Sequence, residues 1–530
     1  MSSVLATHLP VLPVLLPAAA GMLLLVLGDA GLQRARIVAL TAAGLVAAVA
    51  IALFLQADTG ALTVYRLGNW PAPFGIVLVV DRLAALMLLL TACIALPVLL
   101  FASAGWDARG RHFHALFQFQ LMGLNGAFVT GDLFNLFVFF EVLLVASYAL
   151  MLHGQGRERL RVGVHYVVLN LAASALFLIG VSLVYAMTGT LNLADLALRV
   201  PAVHGPEAQV LKAAGLILLV VFGFKAALLP LSMWLPATYA AASAPVAALF
   251  AIMTEVGVYA ILRVHGVVFG GDQTVTAFDA QALLLPLALL TSVAAVLGAL
   301  AARTLPRLVA WLTVVSVGTV LTGLGTGGTA AWSAALYYMA QSTLVVAGFF
   351  LLAELIAAQR GEVGGRLDSA PAVAQPQLLG MLLLFGAATV AGLPPLPGFV
   401  GKLMLLQASA GHAWVVAVWS VVLAVGFCTL IALARAGGVL FWNVRASLPA
   451  NPSGSAASGA RPQLLLATLA PFIMVAAMSL FAAPLQRYAD AAALQLNDRA
   501  AYARAVLGET HGQPFHSTRP YRVQPAAPKP

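Results

Sequence analysis

Long apolar runs separated by short polar breaks dominate this chain, and each run has the length of a membrane crossing. A helix needs about 20 apolar residues to cross a hydrocarbon core ~30 Å thick. About fourteen segments meet that measure. The first three lie near 10–28, 37–55 and 82–103, and the next five near 113–130, 133–152, 164–187, 209–231 and 243–262. The last six lie near 281–301, 306–325, 331–353, 376–410, 414–434 and 463–483. The stretch 376–410 is too long for one straight span and is interrupted by Pro394, Pro395 and Pro397, while the run from 209 meets Pro230 and Pro236. Such breaks persist in a membrane only where protein or water satisfies the freed backbone groups. One Pro-interrupted segment in each half is the pattern of inverted-repeat membrane proteins.

The expected fold is therefore all-α and integral to the membrane, with about fourteen transmembrane helices. Spans 4–8 and 9–13 form two inverted repeats containing broken helices. The expected organisation is a three-helix segment over 1–112, repeat 1 over 113–265 and repeat 2 over 281–441. A flexible linker over 442–462 and a last helix with its tail over 463–530 complete the chain. The linker contains Ser447–Ala460, reading SLPANPSGSAASGA, a low-complexity composition. Leu485–Gly508 is expected to be a helix lying along the interface, and the Pro-rich Gln513–Pro530 to be disordered.

Composition excludes the soluble alternative. Hydrophobic residues make up 62% and charged residues 8%, where soluble domains carry about 25% charged residues. The net charge of +9, from 27 Lys and Arg against 18 Asp and Glu, invites a nucleic-acid reading, but that requires a clustered basic patch. Here the basic residues fall between apolar runs. Odd-numbered loops hold most of them (Arg157, Arg159, Arg161, Arg303, Arg307, Arg360 and Arg366 among others), while even-numbered loops hold only Arg66, Arg82, Arg199, Lys212 and Arg263. The positive-inside rule makes the odd loops cytoplasmic and puts both termini outside a bacterial inner membrane. No basic residue precedes the apolar run Pro10–Gly28, so no cleavable signal peptide is expected. Cys93 and Cys428 lie inside apolar segments without metal spacing, and a disulfide framework is unsupported. Without a Gly-Lys-Ser/Thr loop or a Cys/His cluster, no nucleotide hydrolysis, metal or cofactor is expected. No soluble catalytic domain remains, so any chemistry takes place within the bilayer.

Four charges stand out there. The chain has four lysines, of which Lys225 and Lys402 lie in apolar runs, as do Glu141 and Glu255. At 1.5 Å per residue, Glu141 is about 14 Å beyond Asp132, Lys225 about 20 Å beyond Lys212, and Glu255 about 15 Å beyond Pro245. Each centrally placed charge costs at least about 2.5–3.5 kcal/mol on insertion scales. A proton relay gives them a purpose, because moving or neutralising a carboxylate switches a nearby buried Lys between holding and releasing its proton. The alternative is a static ion pair, Glu141 with Lys225 for instance, that docks one helix on another. Asn170 and Ser174, one turn apart, extend such a relay or make interhelical hydrogen bonds. Gln341, Ser342 and Thr343 carry water or join helices. His165 and His265 are expected in solvated or capping roles, and Trp234 and Trp332 at interfacial or loop positions.

The motifs around these charges resemble a known family. Gly131-Asp132-Leu-Phe-Asn-Leu-Phe-Val-Phe-Phe-Glu141-Val-Leu-Leu-Val-Ala-Ser-Tyr148 is similar to the fifth-helix motif of the D-type subunits of Mrp (Mnh, Pha) antiporters. Phe224-Lys225-Ala-Ala-Leu-Leu-Pro230-Leu-Ser-Met-Trp234-Leu-Pro236 resembles their seventh helix, and Ala244-Pro245-Val-Ala-Ala-Leu-Phe continues into the eighth. Gly392-Leu-Pro-Pro-Leu-Pro-Gly-Phe-Val-Gly401-Lys402 resembles the twelfth. The resemblance covers nearly the whole chain, and the superfamily includes the proton-pumping membrane subunits of respiratory complex I. It implies a fourteen-helix component of a hetero-oligomeric Na⁺(K⁺)/H⁺ antiporter that moves protons and monovalent cations. Glu141 is then expected to pair with Lys225, and Lys402 to serve the second half-channel. The chain departs from the family pattern at Glu255, where relatives usually have Lys, at Gln341, often His, and at His165, often Lys. Two further readings stand beside the antiporter: a complex I or hydrogenase-type pump module, and a scaffold that transports nothing.

Overall fold

The computed structural model describes residues 7–28, 31–270, 280–444 and 459–508. Most of the expected linker and all of Gln513–Pro530 lie outside those residues. Helices α1 (Leu12–Leu27), α2 (Leu32–Asp58) and α3 (Arg82–Ala102) come first, with strands β1 (Thr63–Arg66) and β2 (Val77–Val80) between α2 and α3. Then follow α4 (Phe113–Val129), α5 (Leu133–Met151), α6 (Arg157–Thr188), the short α7 (Leu193–Arg199), α8 (Pro206–Lys225), α9 (Trp234–Ala241) and α10 (Ala244–Ala260). A π-helix, Ile261–Val268, prolongs α10. The second half holds α11 (Ala280–Leu300), α12 (Leu305–Thr326), α13 (Gly328–Gln359), α14 (Pro376–Ala391), α15 (Pro397–Ala408) and α16 (Val415–Gly437). Helices α17 (Pro462–Leu480), α18 (Ala482–Asn497) and α19 (Arg499–Leu507) close the described chain.

Twelve of the described helices are long and apolar enough to cross a membrane. The 17-residue α4 and the broken pair α14–α15 occupy the two remaining expected crossings. This is a multi-pass membrane protein. Helix edges differ from the hydropathy reading where polar residues prolong a helix. Helix α6 begins at Arg157 rather than near 164, and α13 continues to Gln359 rather than 353. Apolar content marks the bilayer, whereas the helix runs on until glycine stops it, at Gly156 (φ 125°) before α6 and Gly361 (φ 57°) after α13.

Both expected breaks are present. Helix α8 stops at Lys225, short of the expected 231, because Ala227 turns into the left-handed region (φ 58°) ahead of Pro230. Helix α14 ends at Gly392 (φ 87°), a conformation glycine adopts without a Cβ penalty, and α15 restarts at Pro397, whose missing N–H is harmless in a first turn.

Burial sorts the helices into an interior and a rim. Every residue from Pro245 through Val268 is buried, and α12 and α13 are nearly so. The rim helices α2, α6 and α16 turn large apolar side chains outward, such as Leu45, Ile179 and Phe427. Small residues allow close helix approach: a Cβ at Gly123 would meet the Leu143 backbone at 2.6 Å, and one at Gly325 would meet Leu285 at 2.6 Å. These contacts join α4 to α5 and α12 to α11, the helix pairs that open the two expected repeats.

Two features went beyond the all-α expectation. Strands β1 and β2 pair antiparallel, Thr63 against Val80; four-residue β-branched runs are too short to register among membrane-length segments. The tail helices do more than lie along an interface. The Tyr488 hydroxyl donates to the Arg82 carbonyl at 2.8 Å, the Arg82 amide donates to Gln495 Oε1 at 2.9 Å, and the Ser333 hydroxyl donates to Asp490 at 2.5 Å. Helix α18 therefore fastens the start of α3 to the start of α13.

Candidate functional site

Helix α6 packs against both α5 and α8, and this decides how the first two buried charges meet. The Ser174 hydroxyl donates to Glu141 Oε1, and Lys225 Nζ donates to Asn170 Oδ1 at 2.8 Å. Glu141 and Lys225 thus take neutral partners one helical turn apart on α6 instead of a direct ion pair. That corrects the expected pairing: the side chains of α5 and α8 reach α6 first. The Asn170 amide nitrogen donates to the Tyr166 carbonyl at 2.8 Å, and serine both donates and accepts, so each charge has its own neutral partner on α6. Phe140, Phe177 and Phe222 pack on one another with ring centroids 5.2–6.4 Å apart, and Lys225 Nζ lies 5.9 Å from the Phe140 ring.

The broken end of α8 is stoppered from below. Trp234 is buried rather than interfacial; its indole Nε1 donates to the Phe224 carbonyl at 3.1 Å, and its ring stacks on Tyr166 at 5.5 Å. Here the Pro-rich break folds the chain back so that Trp234 satisfies a carbonyl left open at the helix end. Trp332 is also buried, with Nε1 3.4 Å from the Leu324 carbonyl. The Tyr166 hydroxyl lies 2.9 Å from Ser147 Oγ and donates to Met253 Sδ at 3.7 Å. Tyr166 does not stand out in the sequence; a lone Tyr in an apolar run carries no signal until its partners are known.

Glu255 sits in the fully buried α10. The Thr343 hydroxyl, which donates to the Met339 carbonyl at 2.7 Å, lies 3.3 Å from its Oε1, and its Oε2 has no hydrogen-bond partner. Gln341, two residues before Thr343 on α13, is fully buried with both amide atoms unpartnered. Buried polar atoms are normally hydrogen-bonded; residues two apart on a helix do not share a face, so the Glu255 oxygen and the Gln341 amide are separate unpartnered groups. Lys402 occupies the other break. Its ammonium donates to the Val390 carbonyl at 2.8 Å and the Ala391 carbonyl at 3.0 Å. These are last-turn carbonyls of α14, where the helix dipole presents about half a negative charge. Gly392 and Gly426 leave room for it, since a Cβ at either would come within 3.4 Å of the Lys402 side chain.

The structure therefore brings Glu141, Ser174, Asn170 and Lys225 together, places Glu255 beside Thr343, and puts Lys402 alone against a helix end. His165 is exposed on α6. His265 is buried in the π-helix with Nε2 3.0 Å from the Gly215 carbonyl, which replaces the expected solvated role. Among the described residues no group of His, Cys, Asp or Glu could hold a metal ion.

Two charge clusters escape a reading of the sequence. Arg263, assigned there to a loop, is fully buried and donates from Nη1 and Nη2 to the two Asp81 oxygens at 2.6 and 2.7 Å, while its Nε donates to the Tyr259 hydroxyl at 3.1 Å. At the opposite end, Arg36 donates to both Asp107 oxygens at 2.7 and 2.9 Å, and His114 Nε2 lies 3.0 Å from Asp107 Oδ2. Burial pushes the Asp107 carboxyl up, but the hydrogen bonds and charges of Arg36 and His114 outweigh it and hold the group at about 2.

Comparison with known proteins bears on the family and the fold. The family model described as NADH:quinone oxidoreductase/Mrp antiporter, transmembrane, matches residues 130–428. The D component of a probable K⁺/H⁺ antiporter of Rhizobium meliloti is 39% identical, covering 94% of this chain and 97% of the relative. The D component of a Na⁺/H⁺ antiporter of Alkalihalophilus pseudofirmus is 35% identical over 95% of this chain and 100% of its own. Among solved structures, a chain of the Mrp complex from Dietzia superimposes with a TM-score of 0.83 at 28% identity, covering 96% of this chain and 100% of that one.

Proposed function

The chain belongs to the NADH:quinone oxidoreductase/Mrp antiporter family, and from that premise we propose that it is the D-type, proton-carrying component of a multisubunit Na⁺(K⁺)/H⁺ antiporter in a bacterial inner membrane. Both termini face outward and the Arg-rich loops face the cytoplasm. Protons move inward along the buried charges and drive Na⁺ or K⁺ out. The observation that carries this reading is that α6 gives each of two buried charges a neutral partner, Ser174 to Glu141 and Asn170 to Lys225, one helical turn apart inside an apolar bundle.

In this reading Glu141 receives a proton from the outer side. Its neutralisation removes a charge that favours the Lys225 ammonium, and Lys225 releases its proton towards Glu255. Glu255, with its unpartnered Oε2, stands between the first half and the second, where Lys402 waits at the α14 break. The expected repeats, 113–265 and 281–441, give each half one broken helix with one lysine. The chain is a transporter component rather than an enzyme, and the exported cation crosses with help from partner subunits.

The test is salt-triggered proton movement in inside-out vesicles from cells lacking their own antiporters. The chain is expressed with its partner subunits, and an unrelated dehydrogenase sets up the gradient. Collapse of the pH difference on adding Na⁺ or K⁺ is the expected result. No response to either salt in an assembled complex would overturn the antiporter reading in favour of a redox-driven pump or a scaffold.

A further inference from the structure

At the end of the molecule opposite the Arg-rich loops, a groove of about 460 Å³ opens between the first helices of the chain and the last. Phe54 of α2, Leu90 and Cys93 of α3, Leu344 of α13, Ala477 of α17 and Leu485 of α18 stand in its walls. Apart from Asp58, the Cys93 thiol and the Tyr488 hydroxyl, the lining is apolar. Leu89, Cys93 and Ala477 are partly exposed, so the groove opens on the side of the bundle instead of being sealed within it. An ordered water needs about two to four polar partners, which walls of this kind do not offer. Hydrocarbon suits them.

The depth and the lip of the groove decide which hydrocarbon. Cys93 stands eleven residues along α3 from Arg82, or about 16 Å, the depth of one leaflet of a ~30 Å core. A helix from a partner subunit would cross both leaflets, whereas a lipid chain ends near the midplane. At the lip, Tyr488 stacks on Phe54 with ring centroids 4.3 Å apart, and aromatic side chains favour the level where lipid meets water. Charges of both signs flank this pair. Asp58 is exposed, Arg82 Nη2 donates to the Asp58 carbonyl at 2.8 Å, and Arg82 Nε has no hydrogen-bond partner among the described residues. Both side chains lie near enough to act on the Tyr488 hydroxyl. A carboxylate beside a guanidinium complements a head group that carries an ammonium and a phosphate, and arginine is well suited to the phosphate. A head group with negative charge alone would be repelled by Asp58.

We propose that this groove binds one zwitterionic phospholipid of the bilayer, with an acyl chain lying between α3 and α17 as far as Cys93, the phosphate at Arg82 and the ammonium at Asp58. The chain fills the seam between the first three helices and α17–α18, and so completes the packing of both ends of the polypeptide around α13. The leaflet is the outer one on the orientation proposed above; the site itself does not depend on the transport reading.

The test uses the assembled complex with Cys428→Ser, purified in detergent and stripped of lipid. Added phosphatidylethanolamine is expected to shield Cys93 from a small maleimide, read on the Cys93 peptide. Native mass spectrometry is expected to find one such lipid more per copy of this chain than in Ala477→Phe, whose ring fills the groove. Phosphatidylglycerol shields about fivefold less well at equal concentration, the effect of one charge at the membrane surface, and Asp58→Asn removes that preference. Equal lipid retention by the parent and Ala477→Phe overturns the site. Cys93 shielded equally in the stripped complex also overturns it, because a partner subunit then covers the groove. Should Ala477→Phe fail to assemble, the head-group preference decides: its absence from the parent, or its persistence in Asp58→Asn, overturns the proposal.

Discussion

At Lys225 the ammonium is held by an amide oxygen instead of a carboxylate, and this choice sets what each substitution does. Removing a hydrogen bond to a charged group costs about 1.5–3 kcal/mol, which is about 10- to 150-fold in rate if the loss is felt at the barrier. Asn170→Ala is therefore expected to slow salt-triggered proton movement by that factor while leaving the complex assembled; an unchanged rate would remove Asn170 from the path. A different residue governs acid stability. Asp107 sits at about 2 in the fold, against about 3.9 when unfolded. Its contribution is full above roughly pH 4 and is lost as pH falls towards 2. Thermal unfolding of the detergent-solubilised complex should lose midpoint across that window, and Asp107→Asn should flatten that part of the curve. An identical pH slope in the variant would show that Asp107 does not contribute.

The elements were legible where chemistry interrupts them. Pro230 and Pro394 to Pro397 announced both helix breaks, because proline removes a donor wherever it stands. Glycines that set helix spacing were not legible, since their role depends on what the facing helix brings. Gly257 is the clearest case: a Cβ there would lie 2.5 Å from the Ala226 amide and 2.8 Å from the Phe222 carbonyl, at the end of α8 that carries Lys225. Overpacking of this kind costs about 1–3 kcal/mol. Gly257→Ala is expected to lower the thermal midpoint and the transport rate together, although it changes no charge. Gly44→Ala on α2, where nothing lies within 4 Å, is the control that leaves both intact. Equal behaviour of the two variants would contradict the close approach of α10 and α8.

Across the whole molecule, the contacts the sequence concealed are those between distant segments. Asp81 and Arg263 are 182 residues apart, and an Arg between apolar runs reads as a topology signal until its partner is placed. The pair fixes the start of α3 to the π-helix, and Tyr502 of the tail lies 5.7 Å from the Arg263 guanidinium. Breaking one side of a buried pair costs about 3–5 kcal/mol, whereas replacing both sides by apolar groups costs much less. A thermal double-mutant cycle with Asp81→Leu and Arg263→Met should show each single variant well below the parent and the double variant close to it; strict additivity would mean that the pair does not hold these segments together.

The central claim, that buried charges partnered by α6 carry the protons, is tested most directly at Lys225. The measurement is the salt-triggered collapse of the pH difference in inside-out vesicles, comparing wild type with Lys225→Ala at equal amounts of fully assembled complex. The account predicts collapse in the first and none in the second. Undiminished collapse with Lys225→Ala would contradict it, and would leave the buried charges as ties between helices.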